Sequence, residues 1–267
     1  MFGMDDPVKV LNQLRHYVAD GRLEIAEVMA EELTNLLLSK WSSKNRTLEN
    51  QELLVLALRD YANILEIRQK WKKCLNATKK LKKEVRSLDG FRGKSGLPIT
   101  QEQTILKLQD QIQMGRVFLQ FNKLRKSIKC FSRAANAGHI EAHLLSIEAY
   151  EKCKGNLKKA TKVAKSLDKT LESIGPLSRE QNEFVLISDN GLTTSYQRIA
   201  SSLERWVQPS SGLNKNVAES LARRLASLNS QKAAIESGEQ AANARLQSAI
   251  DSLQPTVDYH EYSQSSR

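Results

Sequence analysis

Two stretches, Gln120-Phe-Asn-Lys-Leu-Arg-Lys-Ser-Ile-Lys-Cys-Phe131 and Cys153-Lys-Gly-Asn-Leu-Lys-Lys-Ala-Thr-Lys-Val-Ala164, align without a gap at an offset of 33 residues. Leu124 falls on Leu157, Ser127 on Ala160 and Phe131 on Ala164. A related segment, Asp20-Gly-Arg-Leu23-Glu-Ile-Ala26, carries Leu23 and Ala26 in the same register, and Trp71 with Cys74 is a fainter copy. Each copy opens on a turn and continues with small and apolar residues at helical spacing. A period of this length marks a unit of two helices, which buries its apolar face only by stacking on its neighbours.

Working outward, Asp6-Pro7 supplies an N-cap and a first-turn proline. Val8, Leu11, Leu14 and Val18 follow at helical spacing until Asp20-Gly21. A second helix starts near Arg22. Trp41 to Arg46 reads as a loop. From Leu48 to Leu88 no Gly or Pro interrupts the helical pattern. That is long for one globular helix, so we expect a break near Arg68–Lys70. Residues 89–99, with three glycines and Pro98, read as a loop. Thr100 and Gln103 form a capping box, and helices should follow near 101–121, 124–137, 139–153 and 156–173. Leu124, Ile128, Phe131, Leu144, Ile147, Leu157 and Val163 should be buried. Ser178 and Gln181 offer a second capping box, for a short helix through Ile187.

Leu192, Tyr196, Ile199, Leu203 and Trp206 then make an amphipathic stripe. After Pro209–Gly212, Leu221, Leu225, Leu228, Ile235, Leu246 and Leu253 recur on alternating steps of three and four, with Ala242 and Ala249 between them. Lys232 and Glu239 hold two seam positions. The pattern is heptad-like, and these leucines with Ile235 are the candidate self-association residues. The expected organisation is therefore all-α. Helix pairs cover 1–88, a loop 89–99, further pairs 100–175, a helical hairpin or coiled-coil segment 176–254, and a flexible tail 255–267.

The 33-residue spacing, with Gly115 and Phe118 on one helix and Ser127, Phe131 and Ala134 on the next, resembles tetratricopeptide (TPR) repeats and their Sel-like relatives. The junction from Phe131 to Leu145 resembles a Sel-type one. The resemblance covers residues 7–38 and 104–170, and 50–88 more faintly. Residues 176–267 lie outside it. It implies antiparallel helix pairs of α-solenoid type and a groove for a peptide or helix.

Charge bears on function more than any motif does. The chain carries a net charge of +11, and residues 66–133 hold 18 Lys and Arg against 5 Asp and Glu. Between Lys70 and Arg86 only Glu84 offsets Lys70, Lys72, Lys73, Lys79, Lys80, Lys82, Lys83 and Arg86. Lys123, Arg125, Lys126 and Lys129 open the next basic helix. A charged helix face is usually only solvated, but this density without i,i+4 compensation favours an acidic partner, protein or nucleic acid.

No catalytic motif emerges. Gly90, Gly93 and Gly96 do not make a phosphate loop, and no serine elbow or Cys–His pairing is present. His139 and His143 have zinc-ligand spacing, but no third ligand accompanies them, so neither a metal nor a cofactor is expected. Cys74, Cys130 and Cys153 lack CxxC spacing and read as reduced thiols.

The sequence leads us to expect a non-catalytic helical-repeat adaptor or scaffold with an acidic protein partner and homo-oligomerisation. A nucleic-acid-associated structural protein of a virion or packaging machine, and a TPR-like secretion chaperone, are the alternatives. A cytoplasmic location, or one inside a large assembly, and no membrane partner are expected.

Overall fold

A computed structural model describes residues 6–40, 46–153, 156–188 and 191–264, the last fourteen of these in backbone only. The expected loop at Trp41–Arg46 and turn at Asp189–Gly191 lie largely outside the described residues. Two compact units result, residues 1–167 with 189–192 and residues 168–188 with 193–267.

The first unit is all-helical. Helices α1 (Pro7–Ala19) and α2 (Leu23–Lys40), α3 (Leu48–Ile67) and α4 (Trp71–Lys94), and α5 (Gln101–Gln120) and α6 (Leu124–Asn136) form three antiparallel pairs; α7 (Ile140–Lys152) and α8 (Leu157–Ser173) follow. Each of the three pairs closes through the same backbone turn. The amide before the second helix donates to the carbonyl five residues back: Arg22 to Tyr17 (2.8 Å), Lys70 to Leu65 (2.9 Å) and Lys123 to Phe118 (2.9 Å). This is the Schellman closure, which needs a left-handed residue in between. Gly21 (φ 73°), Gln69 (φ 55°) and Asn122 (φ 54°) supply it. At Gln69 the conformation costs about 1 kcal/mol, so its neighbours must hold it there.

Three residues into each second helix sits a small, fully buried side chain: Ala26, Cys74 and Ser127. Cys74 Sγ donates to the Ala62 carbonyl at 3.5 Å, and Ser127 Oγ donates to the Gly115 carbonyl at 2.9 Å. Both acceptors lie twelve residues upstream. The Trp71–Cys74 copy therefore has the same geometry as the clear ones. Small residues bring the two backbones together, and Phe131 fills the space over Gly115.

The break near Arg68–Lys70 and the capping box at Thr100 are both present. Phe131, Leu144 and Ile147 are buried; Leu124, Ile128 and Val163 are half-buried. Leu157, at the first position of α8, is 44% exposed instead of buried.

Three expectations need correction. Residues 89–94 are not loop, because α4 runs through Gly90 and Gly93 to Lys94. Asp89 pairs with Lys107 at 2.6 Å, Arg92 pairs with Glu52, and these contacts hold the last turns despite two glycines. Ser178–Ile187 is not a helix. It forms β1 (Ser178–Glu180) and β2 (Glu183–Ile187), which join β3 (Thr193–Ser195) in a small antiparallel sheet within the all-α frame. Gln181 (φ 46°) and Asn182 (φ 68°) are both left-handed, the requirement of a type I′ hairpin. The helix after Asn190 starts at Tyr196, not Leu192: α9 is Tyr196–Val207.

The second unit packs the sheet, α9 and α10 (Lys215–Gln264) together around Ile199, Leu203, Trp206, Leu221 and Leu228. The backbone of α10 stays helical past the expected end at 254. The end of α8 from Asp168 on belongs to this second unit, where Asp168 and Glu172 hold Arg224 at 3.2 and 3.0 Å.

Gly115 gives a direct test of the pair geometry. A Cβ there would lie 2.3 Å from Cε1 of the fully buried Phe131 ring. Alanine is intrinsically about 1 kcal/mol better than glycine in a helix, whereas overpacking costs about 1–3 kcal/mol. We expect Gly115→Ala to lower unfolding stability by up to about 2 kcal/mol net, and Phe131→Leu in the same chain to recover part of it. A rise in melting temperature for Gly115→Ala alone would contradict the packing.

Candidate functional site

Many acidic groups of the first unit join one helix pair to the next, and others brace a single pair. Glu27 of α2, nearly fully buried, takes Arg68 at 2.8 Å and Lys70 at 2.7 Å from the α3–α4 turn. Glu31 takes Lys73 at 2.9 Å. The Lys73 hydrogen bond holds the Glu31 carboxyl below its ordinary pKa, and the same bond raises that of Lys73. Arg46 and Gln51 meet buried Glu84 at 2.7 and 3.1 Å. Arg59 of α3 grips Asp110 of α5 through two 2.7 Å bonds. Arg116 of α5 joins Glu66 of α3 at 2.6 Å and Glu141 of α7 at 3.1 Å. Paired arginines of this kind fix register as well as charge.

Consequently α4 and α6 retain their lysines without acids. Lys72, Lys79, Lys80, Lys82, Lys83 and Arg86 on α4, and Arg125, Lys129 and Arg133 on α6, are exposed and make no ion pair among the described residues. Lys123 and Lys126 lie over the rings of Phe121 and Phe118 at 5.7 and 5.9 Å. Two members of the sequence-based set drop out as free cations: Lys70 and Lys73 are compensated across the helix pairs by Glu27 and Glu31. The sequence missed Arg133, which lines the same groove as Lys82 and Arg86.

Cys74, His139 and His143 are buried. Burial pushes the Cys74 thiol up to about 12. His139 and His143 sit buried where α6 meets α7. Among the described residues no group of three or more His, Cys, Asp or Glu is placed to hold a metal ion.

In the second unit the proposed seam is mostly covered from within. Leu221 and Leu228 are buried, and Leu225 and Ile235 half-buried. Lys232 lies 5.4 Å over the Phe184 ring and 5.9 Å over the Tyr196 ring, and pairs with Glu236 at 2.7 Å. Glu239 pairs with Arg179 of β1. The two charged seam positions are thus satisfied by the unit's own sheet and α9. Beyond Gln240 the stripe is uncovered: Leu246 is 62% and Ile250 47% exposed. The Leu253 side chain lies outside the described residues. No helix among the described residues is long and apolar enough to cross a membrane.

The sequence matches no family model and no curated protein. Among solved structures, a kinesin light chain-like protein of Podosopora anserina with nearly identical TPR-like repeats is similar at a TM-score of 0.51 and 9% identity, over 86% of this chain and 99% of that one. YrrB, a TPR protein with an unusual peptide-binding site, aligns at a TM-score of 0.47 and 11% identity, over 89% of this chain and 94% of its own. The first likeness agrees with the turn geometry: the fold is a TPR-like helical repeat.

Acid should expose the buried imidazoles. Burial holds His139 and His143 down to about 4, with Arg116 adding to the effect at His139. The unfolded chain binds these protons near its ordinary value of about 6.5, before the folded one does. Stability should therefore be level above about pH 6.5 and fall toward pH 4, by up to about 3 kcal/mol per histidine. Urea unfolding from pH 7 to 4.5 should show a loss that shrinks in His139→Gln/His143→Gln. An equal loss in both proteins would rule out the histidines as its source.

Proposed function

We propose that this TPR-like chain is a non-catalytic scaffold whose repeat unit binds an acidic partner along the α4–α6 ridge, and whose second unit self-associates through the uncovered part of α10. The ridge carries the reading. Many arginines and lysines of the repeat unit are matched to carboxylates across helices, whereas the nine exposed cations named above on α4 and α6 make no ion pair among the described residues and, unlike the lysines of α8, lie on two helices that flank one groove. Like charges at this density repel one another, and an acidic ligand removes that cost. A ligand of this kind is steered to the ridge from a distance and held less tightly as salt rises.

For α10, the supporting feature is continuity. One seam runs from residues packed on α9 and the sheet directly into residues 241–250, all of them exposed. An apolar stripe that outlasts its intramolecular cover is satisfied by a second copy of the same helix.

The experiment is a binding titration with polyglutamate and with single-stranded oligothymidylate as probes. Polyglutamate should bind the full chain at low salt and weaken steeply as salt is added. The variant Lys79→Gln/Lys80→Gln/Lys82→Gln/Lys83→Gln/Arg86→Gln should bind it at least about tenfold more weakly while keeping its helical circular dichroism. Absence of polyglutamate binding overturns the reading, and selective binding of oligothymidylate replaces it with a nucleic-acid partner. Light scattering tests the other half: the full chain should be oligomeric and a chain ending at Gln240 monomeric. A full-length monomer at high concentration contradicts self-association.

A further inference from the structure

Between α4 and α6, floored by α5, runs an open groove of about 190 Å³. Its floor is apolar, made by Leu81, Val85 and Met114, and its rims are cationic, with Lys82 and Arg86 on one side and Arg133 on the other. The carboxylates that line it are already taken: Asp89 by Lys107 at 2.6 Å and Asp110 by Arg59 at 2.7 Å. Uncompensated charge in the groove is therefore positive. The Cys130 thiol, also on the wall, is raised by burial while Lys82, Arg133 and Lys129 pull the other way, so cations from both helices converge on one spot. On the same wall the side-chain oxygen of Gln111 is buried and accepts no hydrogen bond among the described residues.

We infer that this groove is the seat of the acidic partner, and that it takes an acidic peptide segment with an apolar anchor. The inference rests on the ridge reading and narrows it. Cationic rims attract either carboxylates or phosphates, but the rest of the groove discriminates. An apolar floor rewards burial of a leucine or phenylalanine side chain, which a phosphodiester backbone lacks. A buried carbonyl oxygen calls for an N–H donor, which every peptide unit provides. The rims align the acidic residues, the floor takes the anchor between them, and Gln111 accepts from the peptide backbone.

Three labelled probes separate the possibilities: a short peptide of glutamates around a central Leu-Phe pair, the same peptide with Ser-Ser at its centre, and oligothymidylate. The Leu-Phe peptide should bind the full chain at least about tenfold more tightly than the Ser-Ser peptide, the ratio expected for burying one large apolar side chain. It should also slow alkylation of Cys130 by N-ethylmaleimide while leaving Cys153, half-exposed on α7's C-cap, unchanged. Arg86→Gln/Arg133→Gln should weaken both peptides, and Met114→Ala only the one with the anchor. If the two peptides bind equally and Cys130 stays open, the groove assignment fails while the ridge reading stands. If neither peptide binds, or only oligothymidylate does, both fall.

Discussion

The backbone bond that closes each helix pair, from the residue before the second helix to the carbonyl five residues back, is the constraint on which the repeat unit depends. It places the small residue of the second helix against a carbonyl of the first, as Ser127 meets Gly115 and Cys74 meets Ala62. With the backbones that close, one aromatic ring is enough to fill the gap, and Phe131 has no room for a Cβ on Gly115. The same closure carries Arg68 and Lys70, the residues flanking Gln69, to Glu27 of the preceding pair. One local geometry thus sets both the spacing within a pair and the register between pairs.

Charge then divides by face. Arg59–Asp110 and Arg116 with Glu66 and Glu141 link α3, α5 and α7, and Glu27 and Glu31 reach the start of α4. These carboxylates satisfy arginines and lysines that would otherwise be desolvated without a partner, which is far costlier than leaving a lysine in water. Few acids remain for the outward faces of α4 and α6. The positive ridge follows from where the carboxylates are needed, and in the groove between the two helices that surplus flanks an apolar floor.

Much of the fold could be read from residues that act locally. The caps at Asp6 and Thr100, the repeated small positions and the glycine turn at Gly21 all announce themselves within a few residues. Features set by tertiary contact did not. Gln69 takes a left-handed turn that its residue type does not favour, so the α3–α4 break was expected only approximately. Gly90 and Gly93 signalled a loop, yet ion pairs from Arg92 and Asp89 keep them helical. Ser178 and Gln181 imitate a helix cap, whereas a strand pairing and the left-handed Asn182 make that segment a hairpin. The basic tract was visible as composition, but pairing of Lys70 and Lys73 with a helix some forty residues away was not, nor was Arg133 as a groove residue. The heptad pattern of α10 was legible; that α9 and the sheet cover its first half depends on Phe184, Tyr196 and Arg179, whose roles the sequence leaves unmarked.

Uncompensated ridge lysines that press against one another in the unbound chain make its stability depend on salt. Melting temperature against sodium chloride, measured for the full chain and for Lys79→Gln/Lys80→Gln/Lys82→Gln/Lys83→Gln, tests it most directly. Salt at about 0.15 M shortens the reach of exposed charges to roughly 8 Å. The parent chain should gain stability as salt rises, and the variant should be more stable at low salt and gain less. Parallel curves, with the variant no more stable than the parent at low salt, would mean that these lysines are already neutralised and would contradict that expectation.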